Sequence, residues 1–382
     1  MEFIDLKSQY SKLKNEIDEN IKNVLDKGNY IMGAQVKELE KQLAEYVGVK
    51  YCVTCANGTD ALQIALMAMG IKENDAVFVP TFTFYSTAEV VSAVGATPIF
   101  IDVDERTFNI NTKKLEKAIK QVISEGNLTP KAIIPVDLFG QPADFDEIFK
   151  IAQKYNLKVL EDGAQGFGGE INGKKACSFG DISTTSFFPA KPLGCYGDGG
   201  AIFTNDEAMY NLILSIRVHG KGDFKYDNVR IGMNSRLDTI QAAILEPKLK
   251  AFKEYELDER NKFAKIYEEK LKNYVKTPVV KDGFLSSWAQ YTLILNSEGE
   301  RNYLQSKLKE SGIPSMIYYP KPLHKQVVYS DYKFNLEDLA VSEDLCQKVL
   351  SIPMHPYLTE EIVNEICNKI IEYLGEYRNN GK

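Results

Sequence analysis

Strand-like and helix-like segments alternate along the first half of this sequence, and this alternation restricts the fold more than any other feature. The β-type runs cover 51–55, 76–80, 98–102, 132–136 and 158–161, and the helical patterns between them cover 86–94, 113–124 and 144–155. Alternation of this kind predicts an open, mainly parallel sheet with helices on both faces. Ligands bind such sheets at the carboxyl ends of the strands. The candidate site residues are therefore those that follow the strands: Thr59, Phe82 to Tyr85, Asp137, Asp162 and Lys191.

The length of the sequence predicts more than one domain. It has 382 residues, of which 44% are hydrophobic and 26% charged, an ordinary balance for a globular protein. We expect a large domain over residues 1–245. Residues 246–382 are expected to form a bridging helix and then a small C-terminal domain with both helices and strands.

Charge and cysteine content restrict the partners and the compartment. The formal net charge of −7 argues against a broad nucleic-acid-binding surface. No apolar run approaches the roughly 20 residues that a membrane span needs, and the N-terminus lacks the pattern of a signal peptide. The six scattered cysteines indicate a reduced, cytoplasmic protein. Cys52 and Cys55 have redox-motif spacing but lie in a β-type run, so we interpret them as packing residues and expect no metal.

Lys191 is the residue whose surroundings most suggest chemistry. Pro189 and Pro192 keep it out of a regular helix, so it lies on a rigid turn after a strand. Phe187 and Phe188 suggest apolar surroundings, which would lower the pKa of the amine and free it as a nucleophile. The hydroxyls of residues 183–186 could hold an anion nearby. Together these features suit a lysine that forms a Schiff base with a phosphorylated cofactor. The alternative is a surface lysine in a Gly/Pro loop.

Two further strand ends carry polar groups. Asn57, Gly58 and Thr59 join a strand to a strongly helical segment, and this junction directs backbone N–H groups and a hydroxyl toward one point, which suits a phosphate. A simpler interpretation makes Thr59 or Asp60 an ordinary helix N-cap. Asp162 directly follows another strand and could pair with a protonated pyridine nitrogen, or could itself be an N-cap.

Four segments, in order, resemble the DegT/StrS family of pyridoxal-phosphate-dependent sugar-nucleotide aminotransferases. They are 56–62, 161–165, 185–191 with its continuation at 197–200, and 232–238. The resemblance extends over essentially the whole chain, and four separate motifs make it far more specific than one. Segments 187–197 and 350–357 are similar to the branch that aminates UDP-linked 3-keto-hexuronic acids. The resemblance implies an α/β aspartate-aminotransferase fold (fold type I), with a mixed, mostly parallel sheet in the large domain and a small C-terminal α+β domain.

By this resemblance the cofactor is pyridoxal 5'-phosphate, and the family's cofactor contacts match named positions here. Lys191 would form the covalent imine, Asp162 would pair with the pyridine nitrogen, and Gln165 would lie near the ring hydroxyl. The remaining cofactor contacts would be the phosphate ligands Gly58, Thr59 and Ser186, the ring-facing Phe84, and Asn234. Asn234 would reach the cofactor phosphate of the neighbouring subunit, which implies a homodimer with shared active sites.

The resemblance also implies substrate contacts. Arg236 matches a position similar to a ligand of the substrate carboxylate, and a guanidinium suits a carboxylate because it binds in a bidentate way. An ion pair that supports the fold is the alternative. Tyr318 and Tyr319 match a loop near the sugar, or they could pack an interface. Two positions depart from the family pattern: Asp137 stands where histidine is common, and Gly163 where alanine is usual.

The predicted reaction moves an amino group from L-glutamate to a ketone on a nucleotide-linked sugar, for surface polysaccharide synthesis. The best candidate is C3 of a UDP-3-keto-N-acetylhexosaminuronic acid. Alternatives are a C3 or C4 aminotransferase for a dTDP- or UDP-linked keto-deoxysugar, and a non-catalytic regulator of the same fold. A same-fold sugar dehydratase is disfavoured because that branch has histidine in place of Lys191. A nicotinamide oxidoreductase is disfavoured because the sequence lacks the Gly-x-Gly-x-x-Gly fingerprint.

Overall fold

The computed structural model describes residues 1–330 and 339–380, and a seven-stranded sheet lies at its centre. The helices are α1 Leu6–Lys27, α2 Ala34–Val47, α3 Gly58–Ala68, α4 Ser86–Ala93, α5 Thr112–Glu125, α6 Phe145–Tyr155, α7 Glu207–Ile216, α8 Thr239–Ala251, α9 Leu257–Leu271, α10 Glu298–Glu310, α11 Ala340–Lys348 and α12 Glu360–Asn380. The strands are β1 Tyr51–Cys55, β2 Asp75–Pro80, β3 Thr97–Ile101, β4 Thr129–Ile133, β5 Lys158–Asp162, β6 Glu170–Ile171, β7 Lys174–Lys175, β8 Ile182–Ser186, β9 Gly200–Thr204, β10 Phe284–Leu285, β11 Tyr291–Ile294 and β12 Val349–Ile352.

The central sheet is mixed and mostly parallel, as predicted. Its strand order is β1-β9-β8-β5-β4-β2-β3. Strand β9 runs antiparallel to both of its neighbours, β1 and β8, whereas the pairs from β8 to β3 are all parallel. The carboxyl ends of β1, β2, β5 and β8 therefore open on the same edge of the sheet, and the site is built there.

Helix α5 illustrates how the sequence covers the sheet. Leu115, Ile119 and Val122 recur at helical spacing and are its buried residues. Asn111 caps the helix by accepting from two backbone N–H groups, and Gly126 ends it in the left-handed conformation. Each leucine or isoleucine side chain that such a face buries stabilises the fold by about 1.5–3 kcal/mol. The opposite face of the sheet is covered by a second apolar cluster that includes residues of α3, α4 and α7.

A separate apolar core lies in the C-terminal part of the chain. It packs α9, α10 and α12 against the antiparallel pair β11 and β12. A long helical segment leads to it, because α8 continues through a π-helical turn at Phe252–Glu256 into α9. Position 245 lies within α8, and the division of the chain into domains there stays a prediction.

Most predicted elements of the first half agree with the structure within about two residues, a typical margin for helix and strand ends. The prediction for β4 is wrong in position: the expected run was 132–136, whereas the strand is Thr129–Ile133. The apolar residues after Ile133 lie beyond the ladder because pairing with β2 begins at Thr129. The antiparallel β9 was not predicted. Within the described ranges, no helix combines the length and apolar character that crossing a bilayer requires.

Candidate active site

A cavity of about 720 Å³ opens at the carboxyl ends of the central strands. Nine of the eleven predicted site residues line it: Gly58, Thr59, Phe84, Asp162, Gln165, Ser186, Lys191, Tyr318 and Tyr319. They come from four strand ends and from the segment before α11, so residues far apart in sequence meet at one place. This volume lies within the range of small-molecule and cofactor sites.

Lys191 and Asp162 form the charged centre of the cavity. The turn that carries Lys191 is closed by a hydrogen bond from its backbone N–H to the carbonyl of Phe188, 2.9 Å away. Burial lowers the pKa of the Lys191 amine, and the Asp162 carboxylate opposes that shift. Phe187 is fully buried below the turn, but Phe188 is 52% exposed and lines the cavity. Of the two phenylalanines expected to surround Lys191 with apolar groups, only Phe187 is buried, so the apolar surroundings lie on one side of the lysine.

Asp162 ends strand β5 and is almost completely buried. Thr87, in the first turn of α4, donates its hydroxyl to Asp162 Oδ2 at 2.8 Å, and the N–H of Ala164 donates to Oδ1 at 3.3 Å. Burial raises the pKa of Asp162, whereas these two hydrogen bonds and the charge of Lys191 lower it. Asp162 thus lies in the cavity as a hydrogen-bonded acid, and it is not an N-cap because no helix follows it before β6.

A cradle formed by Gly58, Thr59 and Ser186 lies between the N-terminus of α3 and the end of β8. The N-cap of α3 is Asn57, whose side chain accepts from the N–H of Asp60 at 2.8 Å, so neither Thr59 nor Asp60 is the cap that the alternative interpretation required. The first turn of a helix leaves backbone N–H groups without helical partners, and these attract anions. A Cβ on Gly58 would lie 2.7 Å from Ser186 Cβ, so glycine is what permits this close approach.

The other three hydroxyls of the 183–186 segment point elsewhere. Ser183 donates to the Glu161 carboxylate, Thr184 to the Glu161 carbonyl, and Thr185 to the Gly163 carbonyl. Ser186 alone among these four lines the cavity, and its Oγ accepts from the N–H of Phe188 at 3.2 Å.

Aromatic side chains and one amide form the opposite wall. Tyr319 OH accepts from Gln165 Nε2 at 3.0 Å, and Gln165 Oε1 accepts from the N–H of Phe139 at 2.8 Å. The Phe84 ring is 54% exposed and lies 6.5 Å from the Tyr319 ring, centroid to centroid. Gln165 is thus held in one orientation, while Phe84 presents a free face to the cavity.

The remaining predicted residues, Asn234 and Arg236, do not line this cavity in their own chain. Arg236 donates to the Asn234 side chain, and Asn234 is exposed. The loop that holds both is fixed by Ser235, whose buried Oγ accepts from the N–H of Ala56 at 3.0 Å.

Sequence reasoning missed several residues of the site. Thr87 contacts Asp162, and Asp198, Gln290 and Lys321 line the cavity. Thr87 could have been found from its place two residues after the Phe82–Tyr85 segment, in the first turn of the predicted helix. Asp137 was a strand-end candidate, but its side chain is fully buried behind the site and does not line the cavity. All six cysteines lie in the described ranges as buried, unpaired thiols, in agreement with a packing role for Cys52 and Cys55.

Comparison with known proteins gives the family. The model of the DegT/DnrJ/EryC1/StrS aminotransferase family matches residues 11–371. The UDP-2-acetamido-2-deoxy-3-oxo-D-glucuronate aminotransferase of Pseudomonas aeruginosa is 48% identical over 370 residues, 96% of this chain and 98% of that protein. The UDP-N-acetyl-3-dehydro-alpha-D-glucosamine 3-aminotransferase of Acidithiobacillus ferrooxidans is 41% identical over 370 residues, 96% of each chain.

The fold agrees with this assignment. A solved DegT DnrJ EryC1 StrS aminotransferase from Brucella abortus superposes with a TM-score of 0.95 at 49% identity, covering 98% of this chain and 100% of that chain. The sheet order, the lysine–aspartate pair in the cavity and the position of that cavity at the strand ends thus occur in a chain that matches one family over almost its whole length. The chain belongs to the DegT/DnrJ/EryC1/StrS aminotransferase family, whose enzymes use pyridoxal 5'-phosphate.

Proposed function

We propose that this enzyme moves an amino group from L-glutamate to C3 of a UDP-linked 3-keto-N-acetylhexosaminuronic acid, for the synthesis of a surface polysaccharide. The observation that carries the proposal is the meeting of Lys191, Asp162 and the α3–Ser186 cradle in one cavity. The names of the relatives from Pseudomonas aeruginosa and Acidithiobacillus ferrooxidans support a 3-keto sugar joined to UDP. We also place the reaction in the cytoplasm, and the six unpaired thiols agree with a reducing compartment.

The residues of the cavity fit pyridoxal 5'-phosphate. The cradle has a hydroxyl, a helix N-terminus and a glycine where any side chain would collide with Ser186. Gly58, Thr59 and Ser186 would hold the phosphate, and Phe84 would cover one face of the ring. Asp162 is a buried carboxylate that would pair with a protonated ring nitrogen. When bound, this cofactor supplies an electron sink and carries the amino group between the two substrates.

Lys191 would move the proton. Its amine lies in the cavity, and burial lowers its pKa, which favours the uncharged form that can act as a base. Lys191 would take a proton from Cα of the amino donor as a base and deliver it as an acid to the cofactor carbon that carries the amino group. For the keto sugar it would make the same two proton transfers in reverse. The hydrogen bonds from Thr87 and Ala164 to Asp162 favour its ionised form and so oppose the effect of burial. The hydrogen bond between Gln165 and Tyr319 would hold these two side chains of the cavity wall in a fixed orientation.

A homodimer with shared sites is part of the same proposal. Asn234 and Arg236 lie outside the cavity of their own chain, which is where residues that complete a partner's cavity would lie. The preceding loop exposes several large apolar side chains, with Tyr226 and Ile231 both 86% exposed, and such patches mark interaction surfaces. In this arrangement Asn234 would reach the partner's cofactor phosphate, and Arg236 would bind the carboxylate of the sugar.

A non-catalytic regulator remains the second candidate, because a relative from Geobacillus stearothermophilus, 40% identical, is named a pleiotropic regulatory protein. A lysine with a lowered pKa beside a buried carboxylate favours the enzyme.

Absorbance spectroscopy tests the proposal. Purified protein with pyridoxal 5'-phosphate should show the visible absorbance of the lysine-bound cofactor, and L-glutamate should remove it. Lys191→Ala should abolish this absorbance and lower turnover by about 100- to 10,000-fold, the usual contribution of a general acid–base group. Lys321→Ala is the matched control, since Lys321 lines the same cavity and should leave the absorbance intact.

The substrate is tested with UDP- and dTDP-linked keto sugars, each with and without a C6 carboxylate. The UDP-linked 3-keto uronic acid should have the highest kcat/KM. A wild-type spectrum that does not respond to glutamate would favour the regulator, and a preference for an uncarboxylated sugar would overturn the uronic acid assignment.

A further inference from the structure

Two buried carboxyl groups lie side by side behind the active site. Asp137 follows β4, Glu161 lies in β5, and neither side chain is exposed. The two carboxyl groups are within hydrogen-bonding reach of each other. Two ionised carboxylates only accept hydrogen bonds, so a contact between them requires a proton on one of the two.

The hydrogen-bond donors around the pair are unevenly divided. Glu161 accepts from four donors, the N–H groups of Cys177, Phe179 and Gly180 and the hydroxyl of Ser183. Asp137 Oδ1 accepts from the N–H of Ala143 at 2.9 Å, but no N–H or hydroxyl group among the described residues donates to Oδ2. A buried carboxylate is stable when donors surround it. The charge therefore belongs on Glu161 and the proton on Asp137.

We propose that Asp137 holds a proton, donates it in a hydrogen bond to ionised Glu161, and thereby acts as a positioning residue for the turn that carries Asp162 and Gln165. The backbone is arranged for this role, because the N–H of Asp137 donates to the Asp162 carbonyl at 3.1 Å. Gly166, next to Gln165, packs so closely that a Cβ there would lie 2.4 Å from Asp137 Cβ. Asp137 is thus fixed between β4 and the turn.

The charges that face Asp137 agree with a neutral acid. Burial and the negative charges of Glu161 and Asp162 raise the pKa of Asp137 well above its usual range. The Cys177 thiol, also buried beside the pair, has a raised pKa and stays uncharged. Lys191 is the cation that faces Asp162. If Asp137 were ionised, three carboxylates (Asp137, Glu161 and Asp162) would lie near a single lysine. Their mutual repulsion would then favour protonation of Asp162. A neutral Asp137 avoids this repulsion, so Asp162 can remain an anion.

The direct test is infrared spectroscopy of the protein without cofactor, which makes the result independent of the proposed reaction. Wild-type protein at neutral pH should show the C=O stretch of a buried protonated carboxyl group. Asp137→Asn should remove that band. Asp102→Asn is the matched control: Asp102 is equally buried after β3, but Lys114 and Ser342 hold its pKa low, so this variant should keep the band.

The pH dependence of stability gives a second readout. An acid whose pKa is higher in the folded state stabilises the fold fully below its unfolded pKa, and this contribution is lost as the pH rises toward the folded value. The Tm of wild type should therefore fall more steeply with rising pH than the Tm of Asp137→Asn, from about pH 4 upward. The amide of asparagine still donates to Glu161, so this variant should bind pyridoxal 5'-phosphate within about twofold of wild type, whereas Asp137→Ala should bind about tenfold more weakly.

Absence of a protonated carboxyl band in wild type, or its persistence in Asp137→Asn, would overturn the proposal. Equal slopes of Tm against pH in wild type and Asp137→Asn would do the same. If Asp137→Ala does not fold, the infrared and Tm comparisons between wild type and Asp137→Asn still decide whether the proposal holds.

Discussion

At the scale of single residues, Asp162 depends on the hydroxyl of Thr87. Burial favours the neutral acid, and the hydrogen bond from Thr87 Oγ1 to Asp162 Oδ2 favours the ion. Thr87 comes from α4 and Asp162 from β5, so the packing of α4 against the sheet also sets the charge at the centre of the cavity.

Thr87→Val should therefore lower activity. Valine keeps the shape but removes the donor, and a hydrogen bond to a charged group contributes about 1.5–3 kcal/mol, so kcat/KM should fall about tenfold or more. The pKa of Asp162 should rise further, which moves the acid limb of the pH profile of kcat/KM to higher pH. Thr87→Ser keeps the hydroxyl and should leave the limb near its wild-type position. An unmoved limb in Thr87→Val would show that Thr87 does not set this ionisation.

The sequence predicted the residues at the centre of the site better than the residues that position them. Lys191 and Asp162 could be predicted because a lysine between prolines and an acid at a strand end are local signals. The contact of Asp137 with Glu161 was invisible, because it depends on which way a side chain turns after β4. In the sequence, Ser186 is one of four neighbouring hydroxyl residues. The structure distinguishes it because the pairing of β8 with β5 directs the other three hydroxyls to Glu161 and Gly163.

At the scale of elements, one segment before α11 forms the substrate side of the cavity. The segment 317–326 carries Tyr318, Tyr319, Lys321 and Gln326 to the wall. His324 holds this segment in place through both ring nitrogens. Its Nδ1 lies 2.7 Å from Oγ1 of Thr81, which directly follows β2, and its Nε2 lies 3.1 Å from Oε1 of Glu343 in α11. The imidazole thus ties this segment to both the central sheet and α11.

His324→Ala should loosen the substrate wall without disturbing the cofactor cradle. We expect KM for the nucleotide sugar to rise about 30-fold, since two hydrogen bonds of about 1 kcal/mol each are lost, while the Kd of pyridoxal 5'-phosphate stays near wild type. His324→Asn can still bond to Thr81 and should recover part of the loss. Lys325→Ala is the control, because Lys325 pairs with Glu343 at the surface and lines no part of the cavity. An equal loss of cofactor affinity in His324→Ala would indicate general unfolding instead.

Element positions were predicted well where apolar runs end in turn residues. Strand β1 was predicted to the residue, since Asn57 and Gly58 follow it closely. Strand β4 was displaced because its apolar run continues past the ladder, and strand β9 was missed because antiparallel pairing with β1 and β8 is decided by partners distant in sequence.

At the scale of the whole molecule, the chain leaves part of the proposed site outside its own cavity. Nine predicted residues meet at the strand ends, whereas Asn234 and Arg236 remain on a loop beside exposed apolar side chains. A two-fold symmetric dimer would place this loop of each chain at the partner's cavity, and both sites would then be completed by the same contact.

Mixing two inactive or weakened variants tests this arrangement. Lys191→Ala protein should keep about 1% or less of wild-type turnover, in line with the loss of about 100-fold or more expected above. Arg236→Ala should raise KM for a carboxylated sugar about 30-fold, since truncating one partner of a buried charge pair costs about 2 kcal/mol or more. If Lys191 works with the partner's Arg236, a mixed dimer holds one intact site and one doubly defective site. Random reassembly of equal amounts makes half of the dimers mixed, so activity at low substrate should recover to about a quarter of wild type. Equal mixtures that show no more activity than the sum of the separate variants would place Arg236 in its own chain's site or outside the site altogether.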